Sequence, residues 1–422
     1  MRSWNTIHAN LIENEFWVRP MSEIDAEVAR LHSEAPLDWF EEVAVEMSPI
    51  PVGPGYWCVT KHADIAEVSR TPQIYSSEDG IVVGDTPAEF REFFSSMIAM
   101  DDPRHSRLRR LVSKGFTPKM LHSLEESVQG IAASIIDDIS EQGSVDFVTE
   151  VAAALPLKIV CDLMGIPDSE YQMVFNNTNV ILGISDPEFQ TEGVDFITAL
   201  LAAGGDLATL MGEVADAKKG GDGRDLTSVL VNADLEDDQL TGSDLASFFI
   251  LLVAAGNETT RNAISWGLDF LTKNPDQMKI WAADFDGVAP TAVEEIVRLA
   301  SPVTYMRRTV LEDTVLAGQE LTAGDKVCMF YLAANRDPDV FIDPLSFDVL
   351  RDPNPQYGFG GPGPHFCLGA HLARREITVM FRELFDRLPD IHAVEEPDAL
   401  QSSFIHGVKH LQAEFTPVPS RA

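Results

Sequence analysis

Along most of the chain, apolar residues recur about every 3.6 positions, the spacing that gathers them on one face of a helix. The pattern predicts helices over Arg104–Lys114, Leu121–Ile139, Val145–Met164, Ser169–Leu182 and Val194–Ala217. Asp238–Lys273 is longer and apolar all round in its middle, which predicts a buried central helix. Short β-rich pieces stand at Tyr56–Thr60, Thr304–Val310 and Lys326–Phe330, with Pro- and Gly-rich turns at Pro49–Gly55 and Asp352–Pro364. No repeat, low-complexity tract or linker divides the chain. The expected fold class is mainly α: one domain over residues 1–422, largely helical, with a small β-rich part around 50–75 and 303–330.

Charge narrows the function. Of 422 residues, 67 are Asp or Glu and 31 are Lys or Arg, a formal net charge of −36. A phosphate-binding surface needs a basic face, so this balance argues against nucleic acid and against an anionic membrane as main partner. Four cysteines in so long a chain do not make a disulfide framework, which points to a reducing compartment. The N-terminus has no apolar signal region. The longest apolar run, Phe248–Ala255, falls far short of the roughly 20 residues of a membrane helix. A soluble cytoplasmic protein without a membrane anchor is expected. The charge is also uneven. Glu213–Asp244 carries nine acids against three bases, whereas Arg104–Lys119 carries six bases and no acid. A purely basic helix on so acidic a chain needs a reason.

The most informative stretch is Phe359-Gly-Gly-Pro-Gly-Pro-His-Phe-Cys-Leu-Gly-Ala370, with an amphipathic helix predicted directly after it, over Leu368–Leu388. Glycines let backbone approach a flat ligand closely. A cysteine entering a helix N-terminus has its thiolate favoured by the free N–H groups and the dipole. Those conditions suit a thiolate bound to haem iron. Cys58, Cys161 and Cys328 lack such surroundings and read as buried structural residues.

Here the chain resembles a cytochrome P-450, in a form similar to actinobacterial members that oxidise sterols and branched lipids. The loop 359–369 resembles that family's haem-binding signature. Phe359 stands eight positions before Cys367, whereas many bacterial members place the aromatic seven before, where this chain has Gly360. Which side chain covers the sulfur is therefore open. Ala255-Gly-Asn-Glu-Thr-Thr260 is similar to the family's oxygen-binding motif, and Glu295-Ile-Val-Arg298 matches its E-x-x-R pair. Asn335-Arg-Asp337 and Phe347-Asp-Val-Leu-Arg351 resemble the segment leading to the loop. One such motif is weak; four in family order, at family spacing, are specific, and the resemblance covers nearly the whole chain.

The resemblance implies the mainly helical cytochrome P-450 fold and the cofactor haem b, with Cys367 as the iron ligand and metal-binding residue. It places Phe359, Gly361, His365, Gly369 and Gly256 beside the cofactor, and His105, Arg109, Arg308 and His365 on its two propionates. Glu258 and Thr259 would relay protons for O–O cleavage, since a buried acid–alcohol pair with water can do so. Glu295, Arg298 and Arg351 would form a structural network behind the cysteine loop. Electrons must come from a separate carrier, expected to be a ferredoxin with its reductase, docking at Arg104, Arg107, Arg110 and Lys114. A monomer is expected. Apolar segments that would roof the cofactor supply a substrate pocket of Met97, Met100, Ile181, Phe249, Leu252, Val303, Met306, Phe404 and Ile405, with Arg307 the one charge that could point inward. The expected reaction is hydroxylation, at or near a terminal methyl, of a methyl-branched lipid, isoprenoid or sterol side chain. Polyketide or macrolide tailoring is the alternative substrate reading. A peroxygenase and a non-enzymatic haem gas sensor are the rival functions; neither needs the Glu258–Thr259 pair.

Overall fold

Helices form where the apolar spacing places them, and their ends differ from it by a few residues. The structure, a computed structural model, describes residues 5–44, 51–85, 96–115, 118–183, 185–190, 193–223, 225–232 and 242–421. The side chain of Lys114, one of the expected docking residues, lies outside the described set.

Met21–Glu34 (α1) and His62–Arg70 (α2) precede the basic helix Arg104–Gly115 (α3) and Pro118–Ile139 (α4). Ala154–Met164 (α5), Tyr171–Gly183 (α6), Phe196–Lys218 (α7) and Leu226–Val231 (α8) lead to Gly242–Lys273 (α9), 32 residues long. Pro275–Ala283 (α10), Phe285–Ala300 (α11), the single turn Tyr331–Ala334 (α12) and Ala370–Arg387 (α13) follow. The β-rich part is a five-stranded sheet in the order Leu37–Phe40 (β1), Tyr56–Val59 (β2), Lys326–Phe330, Tyr305–Val310 and Tyr75–Ser76 (β3). β1 pairs antiparallel with β2 in the register Leu37↔Val59, a strand too short for an alternating pattern to reveal.

Residues 145–164 are not one helix. Ser144–Asp146 is a strand (β4), a π-helical turn covers Val148–Ala152, and α5 begins only at Ala154. Val145 pairs with Ala413 near the C-terminus, so a partner some 270 residues away overrides the local period. Within the described residues one helical stretch, Ile197–Lys218, is long and apolar enough by composition to cross a membrane; its apolar surface packs partly against α6 and α9.

A charged network ties the segment before the cysteine loop to α11. Glu295 and Arg298 sit three apart on that helix and are both fully buried. Arg298 donates through Nε and Nη2 to the two Glu295 oxygens, each at 2.7 Å. Arg351 Nε reaches both oxygens at 3.0 Å, and Asn354 Nδ2 and the Asp348 N–H add further donors at 3.0 Å. Arg298 Nη1 also binds the carbonyls of Asn335 and Pro344, at 2.8 and 2.6 Å. Asn335 in turn donates to Ser301 and accepts the Tyr357 N–H at 2.6 Å. One carboxylate thus anchors residues 335–357, the run into the loop.

Removing it would strand two guanidiniums in the interior. Glu295→Ala should cost about 3–5 kcal/mol of folding stability, the range for breaking a buried pair from one side. The denaturant midpoint, compared with that of an exposed control such as Glu320→Ala, checks this; equal midpoints would contradict it.

Candidate active site

The cavity that organises this molecule lies between the middle of α9 and the start of α13, closed by α3, α5 and the strand Tyr305–Val310 (β5). The Cys367 loop forms one wall. Cys367 is exposed to it, its backbone N–H donating to Phe359 O at 3.0 Å. The loop surroundings raise its pKa through desolvation, opposed by the N–H groups of Gly369 and Ala370 and by Arg109 and Arg374. The helix start therefore acts on the sulfur as the sequence suggests, while burial works against it. Phe359 is buried beside the loop, and the Arg374 guanidinium lies 4.2 Å from its ring centroid. Arg374 is engaged there and with Glu294, at 3.1 Å through Nη2.

The glycines divide their work differently from the expectation. Gly361 and Gly363 press against Ser69 at the end of α2, where a Cβ would collide with its hydroxyl and its carbonyl. Gly360 takes φ 87°, the left-handed turn that admits the extra residue. Gly369 has open space where a Cβ would point. Gly256 lines the cavity, and a Cβ there would come 2.8 Å from Val160 Cγ2, so close packing of α9 on α5 is a further reason for it.

Four basic groups converge on the rim. The His105 and His365 rings lie 4.2 Å apart, and His365 Nε2 is 3.2 Å from Ser77 Oγ. Arg109 Nη2 donates to Phe366 O at 2.7 Å, and the buried Arg308 donates to Arg307 O at 2.7 Å. Burial, then Arg308, His105 and Arg109, push His365 down to about 3; burial and Arg109 lower His105. The acids that offset these groups are Asp101 and Asp102, the latter 3.8 Å from His105. Such a cluster, on a chain of net charge −36, wants an anion.

On α9, Thr259 lines the cavity and its hydroxyl donates back to Ala255 O at 2.7 Å. Glu258 does not line it. It is turned to the other side of the helix, buried and paired with Arg261, and burial raises its pKa against the pull of that guanidinium. Of the expected substrate residues, Met97, Leu252, Val303 and Met306 line the cavity. Met100 and Phe249 are buried in the helical core instead, and Ile181 packs against it. Phe404 and Ile405 stand one layer back: Ile405 bridges Val303, and Phe404 meets the Tyr305 ring edge-on at 5.7 Å. Arg307 points away from the cavity, to Asp85 at 2.8 Å. Sequence reasoning missed Val160, Leu163, Leu251 and Glu376. Glu376 carried a signal, an acid set among Ile377, Val379 and Met380 on the apolar side of α13.

A family model described as Cytochrome P450 matches residues 288–389. A methyl-branched lipid omega-hydroxylase of Mycobacterium tuberculosis is 46% identical over 95% of this chain and 93% of its own length. The chain belongs to the cytochrome P-450 family. A steroid C26-monooxygenase of Rhodococcus jostii is 37% identical over 92% of this chain and 81% of its own. A Mycobacterium marinum cytochrome P-450 solved in complex with pseudoionone superposes with a TM-score of 0.93 and 40% identity, covering 98% and 100% of the two chains. This cytochrome P-450 is a monooxygenase of hydrophobic substrates, and its cofactor is haem b. The donor set fits that cofactor: a thiol open to the cavity, apolar walls, and at the rim a basic cluster short of the two carboxylates a haem brings.

Glu376 yields a prediction of its own. It is buried in the cavity wall, its Oε2 has no hydrogen-bond partner among the described residues, and burial alone pushes its pKa up to about 8. An acid whose folded pKa is raised destabilises the fold as pH climbs from about 4.5, its ordinary value, to about 8. Glu376→Gln should therefore match the native protein near pH 5 and exceed it by a few kcal/mol, as an order of magnitude, at pH 8. Unfolding midpoints across that range test it; a pH-independent difference would refute the buried, unpaired acid.

Proposed function

We propose that this monooxygenase hydroxylates a methyl-branched lipid, isoprenoid or sterol side chain at or near a terminal methyl, using electrons from a separate ferredoxin and its reductase. The observation that carries the substrate class is the chemistry of the distal wall. Met97, Ile98, Phe248, Leu251, Leu252, Val303 and Met306 are all apolar, and Arg307 is turned away. A wall of that kind binds by burial, at roughly 25 cal/mol per Å² of apolar surface, and rewards a long ligand with few polar groups. The names of the lipid and steroid relatives run the same way.

In this reading Cys367 would bind the haem iron, and His105, Arg109, Arg308 and His365 would hold the propionates. Bound there, haem b supplies dioxygen activation and insertion into a C–H bond. The chain itself orients the substrate along the apolar wall and keeps water off it. Thr259 places a hydroxyl on the cavity wall. To pass a proton it must turn from Ala255 O, a back-bond that costs little to break. Glu258 stands behind it as the acid of the relay. Replacing Cys367 with His should abolish the red-shifted Soret band of the reduced CO complex that marks thiolate ligation; a variant that keeps the band refutes the ligand. In a spectral titration series, branched and isoprenoid lipids should bind more tightly than glycosylated macrolides, and the reverse order would favour polyketide tailoring.

The electron carrier would dock on α3. Arg104, Arg107 and Arg110 are exposed there, Arg104 within 3.3 Å of Asp244 in a solvent-exposed pair that a partner's carboxylate can replace cheaply. Lys114 extends the same helix. A cytoplasmic monomer facing an acidic ferredoxin fits this single basic helix. Reversing Arg107 and Arg110 to Glu should slow reduction by roughly tenfold or more at low salt and flatten its salt dependence, with substrate affinity unchanged. A reduction rate indifferent to salt in the native protein would exclude such docking.

A further inference from the structure

Two carboxylates stand side by side on α11. Glu295 turns to Arg298 and Arg351, and Glu294 turns to the cysteine loop and the helix after it. Glu294 accepts from Arg374 Nε and, at 3.1 Å, from Arg374 Nη2, a two-point pairing of planar groups. Its Oε2 also accepts from Gln356 Nε2 at 2.9 Å, and Gln356 Oε1 takes the Gly358 N–H. The same Arg374 guanidinium lies 4.2 Å from the centroid of the Phe359 ring. One acid therefore fixes both the backbone entering the loop and the cation seated on the loop's first aromatic ring.

Side chains on a helix lean toward its N-terminus, and Arg374 leans from the second turn of α13 back over the loop. Phe359, the residue under that guanidinium, accepts the Cys367 N–H on its carbonyl at 3.0 Å. The charge reaches the sulfur, where Arg109 and Arg374 both favour the thiolate. The two arginines face different things. Arg109 lines the cavity, where the cofactor's carboxylates would neutralise it; Arg374 does not line it, and its counter-charge is Glu294. Arg374 and Glu294 are 31% and 23% exposed, so solvent weakens their field without erasing it.

Ferric haem carries one positive charge more than ferrous haem. A cation beside the thiolate therefore disfavours the ferric form and raises the reduction potential, and an anion there lowers it. With Cys367 on the iron, the reading above on which this one rests, we propose that Arg374 and Glu294 set the reduction potential of the haem: the guanidinium seated on Phe359 raises it, and the carboxylate holds that guanidinium in place and tempers its charge. Each reduction moves one electron from the carrier to the iron and breaks no bond, so a raised potential makes the transfer more favourable. Neither side chain lines the cavity. Both act through Phe359 and the sulfur, and both are positioning residues.

Spectroelectrochemical titration of the haem-loaded protein tests this. Arg374→Leu should lower the midpoint, changing the ferrous-to-ferric ratio at a fixed potential by about threefold, which is about 28 mV for one electron. Glu294→Gln, which keeps an acceptor for Arg374, should raise the midpoint by a similar factor. Arg374→Lys keeps the charge and should stay near the native value. Arg375→Leu removes the same charge from the exposed neighbouring position and should leave the midpoint where it was. Shifts of one sign from Arg374→Leu and Glu294→Gln would mean a loosened loop and overturn the proposal. Unmoved midpoints, or an equal shift in Arg375→Leu, overturn it too. If Arg374→Leu fails to hold haem, Glu294→Gln and Arg374→Lys decide: the first must rise and the second must not move. A native protein whose reduced CO complex lacks the red-shifted Soret band removes the thiolate reading itself; a native protein with the band, and variants that keep its potential, removes only the role of this pair.

Discussion

A carboxylate shut away from water, Glu295, holds the position of the segment that runs into the cysteine loop. It accepts from Arg298, Arg351, Asn354 and the Asp348 N–H, and Arg298 extends the network to the carbonyls of Asn335, Pro344 and Ser346. Residues 335–357 have little regular secondary structure, so backbone bonding of their own cannot fix their path. The network does it instead. Asn335 then receives the Tyr357 N–H, and the chain enters the loop whose Cys367 N–H closes on Phe359 O. Buried ion pairs seldom add net stability over apolar packing, but they fix geometry, and here the geometry is that of the run into the cysteine loop.

Charge is distributed to the same end. Against a net charge of −36, basic groups are concentrated on α3 and around the cavity rim. His105 and Arg109, four apart on α3, face inward, while Arg104, Arg107 and Arg110 face out. One helix therefore presents one row of bases to the cavity and another to solvent. The spacing of about 3.6 residues per turn makes that division possible within a single dozen residues.

The central helix divides its labour in a similar way. Its cavity side is small and apolar, broken only by the hydroxyls of Thr259 and Thr260, which suits a site that must exclude water from a reactive centre. Its other side carries an ion pair and two amides in the protein interior. Adjacent residues on a helix point about 100° apart, so Glu258 and Thr259 are neighbours in sequence without sharing a surface. A relay through both would need something mobile between them.

Much of this was determined by sequence alone. The long helix, the strands Tyr56–Val59, Tyr305–Val310 and Lys326–Phe330, and the glycine-rich cysteine loop before a helix are all local patterns, and local spacing is what a sequence displays. Four ordered motifs carried the family as well. What the sequence did not decide was direction and distance. It placed Glu258 beside the cavity because Thr259 is there, whereas the turn of the helix sends it behind. It counted Phe404, Ile405 and Phe249 as pocket because they are apolar, but apolar residues also fill cores and back walls, and only packing separates the layers. It read 145–164 as one helix because the partner that makes Ser144–Asp146 a strand lies near the other end of the chain. Its apolar neighbours hinted that Glu376 is buried, but which wall the carboxyl joins is a property of what folds over it. Side-chain identity and period are written in one dimension; which face meets which neighbour depends on contacts between residues hundreds of positions apart, and those exist only once the chain is folded.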